Sequence, residues 1–425
     1  LSKMLKKLKD IYNKAGKDYS EGFVDPFQYH KTFYFLLKQF RVAEIDKNKS
    51  SFFNQNTVIF TTGLLATIMA FISFCHGLYI FEIPQITEAG TYFIIMSYEL
   101  LILSCTRNNL PQYQNLLTAM QEDFKYICTT GKKYRKRYFD VQLETWQASL
   151  FSVVFTSSIP FGMVMFATVS LIYFLLTHKP EDDGKRPLLF PFWLFDVDFG
   201  DSPTYEITFM FSNFCSIAYA YNYIFMIQTQ IVWIRHIASK ADIVIWSIQD
   251  LLEDIHPTSD EAERKRFANL IKSRMSEIIK HHQSMYSLMD NYSEVYKKLL
   301  MFEQKCCGPV ICLTAYCAAE KLDEGELHLI LILLFIATVV LHFIPSQLCT
   351  FLRLKVISVC DACWGIEFWN GGAILKPYLV LIMQRSLRPL CLEAPGFEEV
   401  SIQTFSNKMA SAYSCFNMLR QANRK

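Results

Sequence analysis

The sequence predicts an all-α polytopic membrane protein, and three observations carry that expectation. Of its 425 residues 52% are hydrophobic and only 19% are charged, an apolar share above that of a typical soluble domain. The apolar residues form runs free of formal charge, several reaching the length of about 20 helical residues that a hydrocarbon core of about 30 Å requires. Lys and Arg gather in alternate connecting segments, the pattern that orients a multispan chain.

Residues 1–50 hold eleven Lys and Arg and no apolar signal core, so they are expected to stay on the cytoplasmic side uncleaved. Between Ser50 and Phe81 there is no Asp, Glu, Lys or Arg, which defines a first span. A second lies between Glu88 and Arg107 and is interrupted by Glu99. From Thr145 to Thr177 the chain is again uncharged, long enough to cross with tilt or to protrude. A fourth run covers Ile207 to Ile234, a fifth roughly Leu299 to Ala319, and a sixth Leu327 to Leu352. Beyond 352, hydropathy loses its grip: the apolar core of 376–386 is too short to cross and 403–420 is only moderately apolar. Six or seven spans fit.

The loop from Arg107 to Asp140 carries seven basic residues, including the run at 132–137, whereas 179–206 carries three basic against seven acidic. These alternations require the N-terminus inside, opposite to the G-protein-coupled arrangement. Within 235–300 a Thr258-x-x-Glu261 capping box opens a helix. Apolar residues then recur on one face at Phe267, Leu270, Ile271, Met275, Ile278, Ile279, Tyr286, Met289, Tyr292, Tyr296, Leu299 and Leu300. Such a face needs a partner, most simply a neighbouring subunit.

Several motifs carry two readings. The loop 188–211 interleaves aromatics with Asp196, Asp198 and Asp201, which fits an interfacial aromatic belt or a lid over a pocket among the helices. Glu99 is costly in an apolar span, yet it lies eight residues before Arg107, about 12 Å along a helix, so it fits either a relay or a carboxylate snorkelled or paired near the inner boundary. His281-His282 and Cys360-x-x-Cys363 lack the second ligand pair of a zinc site, so no metal or other cofactor is expected. The basic run at 132–137 reads as a topology signal with lipid-headgroup contact, not as a nucleic-acid patch. The chain has no G-x-S-x-G, P-loop or H-E-x-x-H, and no enzyme activity is expected. The 13 cysteines lie mostly inside apolar runs, where they serve as small buried hydrophobes.

The third-loop pattern "FPFW…FD…SPTYEI", the segment "DACWGIEFWN", the run "LVLIMQRSLRPLCL" and the ending "SIQTFSNKMASAYSCFNMLR" together resemble an insect odorant receptor. The likeness is to an odorant-tuning subunit rather than the shared co-receptor, whose connection between the fourth and fifth helices is much longer than the segment from Arg235 to Leu300 here. The resemblance implies seven transmembrane helices, a cytoplasmic N-terminus and a tetrameric ligand-gated, non-selective cation channel in the plasma membrane of a sensory dendrite. Its partners would be a volatile odorant, co-receptor subunits in a heterotetramer, and membrane lipid. It also divides the chain into a cytoplasmic segment 1–50, helices one to six across 51–352, a cytoplasmic extension and anchor helix in 353–400, and a pore-lining helix in 401–425. A metabotropic seven-helix receptor is the alternative. A transporter, with paired broken helices and an inverted repeat, finds no support in the sequence.

The resemblance places an odorant pocket in the outer half of the bundle, with Tyr92, Met96, Met163, Phe166, Phe209, Asn213 and Tyr316 as its candidate lining. Aromatic and Met walls with a few polar handles suit a small hydrophobic ligand, although each of these residues also fits ordinary helix packing. In the last helix Ser411, Ser414, Met418, Gln421 and Ala422 share one stripe, and Ala412, Phe416 and Leu419 another. A polar stripe closed by a bulky apolar residue matches a water-filled path with a hydrophobic constriction. By the resemblance Met418 is the gate and Arg420 lies near the outer mouth.

Overall fold

Long helices running side by side build the computed structural model, which describes residues 10–14, 19, 21–43, 55–177, 186–190, 192–195, 197–255, 261–325, 328–388 and 399–423. Two short helices, α1 (Pro26–Tyr29) and α2 (Lys31–Gln39), precede α3 (Gln55–Ile80), α4 (Ile83–Asn108), α5 (Leu110–Thr129) and α6 (Lys132–Thr177). Then follow α7 (Thr204–Gln249), α8 (Glu261–Asp323), α9 (Leu329–Trp364), α10 (Phe368–Ser386) and α11 (Ile402–Asn423). Of these α3, α4, α6 and α9 are long and apolar enough to cross a membrane by length and composition. α7, α8 and α11 pack among them with more polar faces.

Local chemistry sets the helix junctions. α3 and α4 form a hairpin whose tight turn brings the Gly77 backbone against Ile86, where a Cβ would stand 3.1 Å from the Ile86 nitrogen; only glycine fits there without displacing the turn. α4 and α5 are separated by Asn109 alone, and Pro111 sits in the first turn of α5, where its missing N–H is an unsatisfied position anyway.

The basic stretch 132–137, read from sequence as part of a loop, is the opening of α6. Lys and Arg are good helix formers, and their charge pattern conceals that. The segment 261–300 and the fifth candidate span are likewise one helix of 63 residues. Its apolar face is buried within its own chain, with Ile271, Met275, Tyr292 and Tyr296 fully covered by neighbouring helices. This corrects the expectation of a neighbouring subunit as its partner. Leu270 is off that face and exposed, and Thr258 of the capping box lies outside the described residues.

The largest core unites α1, α2, α5 and α10 with one end of α4, α6, α7, α8 and α9. We call this the stem end, and the opposite one the loop end. α7 runs through the middle of the stem, where several of its polar side chains find partners. Gln228 Nε2 donates to Thr32 Oγ1 and Ser149 Oγ at 2.7 Å, and Thr229 Oγ1 accepts from the Tyr296 hydroxyl at 2.7 Å. Asp123 of α5 pairs with Lys240 of α7, while His236 Nε2 stands 3.2 Å from its other oxygen. Burial alone would raise the Asp123 carboxyl, but the hydrogen bond and charge of His236, joined by Lys240, outweigh it and hold the group below its ordinary range.

The two histidines of the His281-His282 motif have separate neighbours. His281 packs its ring on Tyr126 at 4.5 Å, and His282 Nε2 lies 3.3 Å from Ser386 Oγ of α10.

Candidate functional site

The cavity lies between α4, α6, α7, α8 and α9, with a volume of about 110 Å³. Helical periodicity explains which residues reach it. On α7 these are Ser216, Tyr219, Ala220 and Tyr223, and on α8 Phe302, Glu303, Cys306 and Val310, one stripe at spacings of three and four in each case. Tyr92 and Met96 of α4 and Met163 of α6, all named from sequence, line it.

Phe166, Phe209, Asn213 and Tyr316 do not line the cavity. Phe166 lies three residues beyond Met163, and Asn213 and Phe209 continue the α7 stripe back from Ser216, so their faces match and their depth does not. They sit toward the loop end, where part of the segment before α7 packs inward. Leu189, Phe190 and Phe192 are buried there, with Phe166, Phe209 and Phe211 packed against their cluster. Asn213 instead donates from Nδ2 to the Phe209 carbonyl at 3.0 Å. Tyr316 is buried on α8 beyond Val310, a turn and a half toward the loop end.

Residues 186–190 and 192–195 thus form a cover at the loop end. Phe190 lines the cavity and meets Tyr92 edge to face, with ring centroids 5.0 Å apart. Trp193 stacks on His76 at 3.5 Å, and its N–H donates to Ser73 Oγ at 2.8 Å. Phe195 at the end of the segment is exposed, and Asp196 lies outside the described residues.

The stem end of the cavity is polar. Tyr98 of α4 donates a short hydrogen bond to Glu303 Oε1 of α8 and stacks on Phe302 at 5.3 Å. Tyr223, Thr338 and His342 line the same space. Sequence reasoning missed Glu303, although an acid inside a candidate span was the available signal. Glu99, which sequence left between a relay and a snorkelled or paired carboxylate near the inner boundary, is 1% exposed with Asn222 beside it, so it does not snorkel out of the bundle. It does not line the cavity.

On α11 the two sequence stripes separate cleanly. Ala412 is buried, and Phe416 and Leu419 pack with Cys307, Ile311 and Cys312 of α8. Ser411, Ser414, Met418, Gln421 and Ala422 all face away from the protomer, Met418 with 69% of its surface exposed. Ser411 and Ser414 return their hydroxyls to the carbonyls of Asn407 and Ala410, each at 3.1 Å. Arg420 pairs with Asp323 at the end of α8.

A helical bundle with a covered interior cavity and one helix laid along its flank is the class of molecule so defined. The family model of the 7tm odorant receptor matches residues 85–413, and the chain belongs to that family. Odorant receptor 49a of Drosophila melanogaster is 24% identical over 194 residues, 45% of this chain and 46% of the relative. Odorant receptor 85f of the same organism is 23% identical over 197 residues, 45% and 47% of the two chains. The matched region therefore spans about half the length of these curated relatives. The olfactory receptor OR5 from Machilis hrabei, solved in complex with eugenol, superposes with a TM-score of 0.72 over 93% of this chain and 99% of that one. At 13% identity this likeness is one of fold.

Proposed function

We propose that the chain is the odorant-binding subunit of a heteromeric, ligand-gated, non-selective cation channel, with seven membrane spans, a cytoplasmic N-terminus and co-receptor subunits completing a tetramer. The observation that carries this reading is the outward stripe of α11. Ser411, Ser414 and Gln421 with Met418 are turned away from their own protomer, where a lone receptor gains nothing from such a stripe. A shared axial path lined by copies of this helix uses it, with Met418 as a constriction that excludes water when closed.

The cavity supplies the other half. Tyr92, Met96, Met163 and Phe190 give it apolar walls and a cover, suited to a small, largely hydrophobic odorant. The odorant favours the open state only by its differential affinity for the two states. A route between the sites is at hand. On α8 Cys306 and Val310 line the cavity while Cys307 and Ile311 pack with α11, and on α9 Leu334 and Thr338 line it while Phe335 and Val339 pack with α11. A ligand that moves one face of α8 or α9 moves the other. Pro309 and Pro345 lie inside these helices beside the cavity residues, each removing a backbone hydrogen bond, so bending there is easier than in an unbroken helix.

The test is to express the chain with and without a co-receptor and record currents against an odorant panel, with a tag on the N-terminus. Odorant-evoked current only in the presence of the co-receptor, and a tag that intact cells hide, are expected. Currents from the chain alone would refute the obligate partner, and a surface-labelled tag would reverse the topology.

A further inference from the structure

We propose that the cavity selects ligands that carry a hydroxyl group on a compact apolar skeleton, and that Glu303 is the residue that reads it. This rests on the reading of the cavity as the odorant site.

The cavity has two chemically different ends, fixed by antiparallel helix register. Thr87 of α4 meets Cys317 of α8 at the loop end, and Tyr98 meets Glu303 toward the stem, about 16 Å further along α4. Apolar Met163, Phe190 and Leu334 line the first end; Glu303, Tyr98 and His342 line the second.

A carboxyl group 6% exposed inside a helical bundle requires partners for both oxygens. Glu303 Oε1 has the Tyr98 hydroxyl, but Oε2 has no hydrogen-bond partner among the described residues. Thr156, another lining residue, has a buried Oγ1 that is likewise without a hydrogen-bond partner among the described residues. His342 adds an acceptor: its Nδ1 lies 2.7 Å from the Thr338 carbonyl and must donate to it, which in a neutral imidazole leaves Nε2 as an acceptor.

A hydroxyl is the ligand group that suits this set in either protonation state of Glu303. It donates to a carboxylate; it accepts from a carboxylic acid and keeps its own hydrogen for another acceptor. An ether or ketone can only accept. A ligand carboxylate would face Glu303 with like charge. The apolar end then sets which skeleton fits, and Glu303 which head group.

The test uses the full chain with its co-receptor, and the probes share one carbon skeleton as the alcohol, methyl ether, ketone and primary amine. The alcohol should be at least about tenfold more potent than the ether, since the ether leaves a buried acceptor unpaired. Glu303→Leu should erase that difference, and Glu303→Gln, which keeps an acceptor and a donor at the same place, should preserve it. Equal potency of alcohol and ether, a preference for ketone or amine, or an alcohol preference that survives in Glu303→Leu would each overturn the proposal. Thermal stabilisation of the purified chain by the same probes separates the two claims. Head-group ranking in this binding measurement without any current contradicts the channel reading and upholds the proposal. Currents evoked without head-group ranking do the reverse.

Discussion

Val310 and Ile311 are consecutive residues of α8 that serve two different places: Val310 lines the cavity and Ile311 packs with Ala412 beneath α11. No intervening element separates the candidate ligand site from the candidate pore helix. One helix turned through a single residue step touches both.

Substitutions at the two positions should therefore behave differently. Ile311→Ala is expected to shift the half-effective concentration of every ligand by one common factor, about fivefold or more, because it alters the coupling between sites. Val310→Ala should instead reorder the ligands, since it changes the shape of the cavity. Dose–response series for several odorants on each variant check this; a change in ligand rank order in Ile311→Ala would count against the coupling role.

Met418 is exposed on the outward stripe of α11, so Met418→Ala should leave folding and surface abundance near those of the unaltered chain. Basal leak or ion selectivity should change if this side chain closes the path. Normal leak, selectivity and gating in this variant would remove Met418 from the gate.

The cover is held where Ser73 Oγ meets the Trp193 backbone, at 2.8 Å from its nitrogen and 3.2 Å from its carbonyl. Ser73→Ala loses both contacts at about 0.5–1.5 kcal/mol for a typical bond. Ligand wash-out should become several-fold faster. Unchanged off-rates would mean that this cover does not retain the ligand.

How much of this was legible beforehand depended on the kind of information each feature needs. Period alone sorts a helix into faces, which is why Ser411 and Ser414 separate from Ala412 and Phe416 in the sequence itself. Period says nothing about depth. Phe166, Phe209 and Asn213 fall on the right stripes yet stop short of the cavity, because the inward-packed Leu189, Phe190 and Phe192 take that level, and a loop's path is not written in any local repeat. The partner of the α8 face was equally hidden, since Tyr296 and Thr229 meet across 67 positions. Glu303 was visible as a charge in an apolar run, but its pairing with Tyr98 depends on packing.

The stem makes a prediction about charge. Asp123 is 4% exposed and pairs with the equally buried Lys240. Asp123→Ala leaves an uncompensated buried ammonium and should cost about 3–5 kcal/mol, while Asp123→Leu combined with Lys240→Met should recover most of that loss. Thermal unfolding of the detergent-purified chain measures both, and a single variant as stable as the parent would mean that water reaches Lys240.

The same end should be sensitive to acid. Burial, joined by the charge of Lys14, lowers His30 to about 3, and burial with Arg385 nearby lowers His282 to about 4. Both folded values lie below the ordinary 6.5, so between about pH 6.5 and 4 the unfolded chain binds protons that the folded chain refuses. Stability is complete above that window and falls as pH drops through it, by up to about 1.4 kcal/mol per pH unit for each histidine. His282→Gln should flatten the melting-temperature profile across this range, and an unchanged slope would exclude His282 as a source.

The most direct test of the channel reading is a brief odorant pulse onto an excised outside-out patch that holds the chain with its co-receptor and is bathed in nucleotide-free solution. A cation current that follows the pulse promptly and persists without nucleotide is predicted. A response that vanishes on excision and returns only with GTP would contradict it and favour metabotropic signalling.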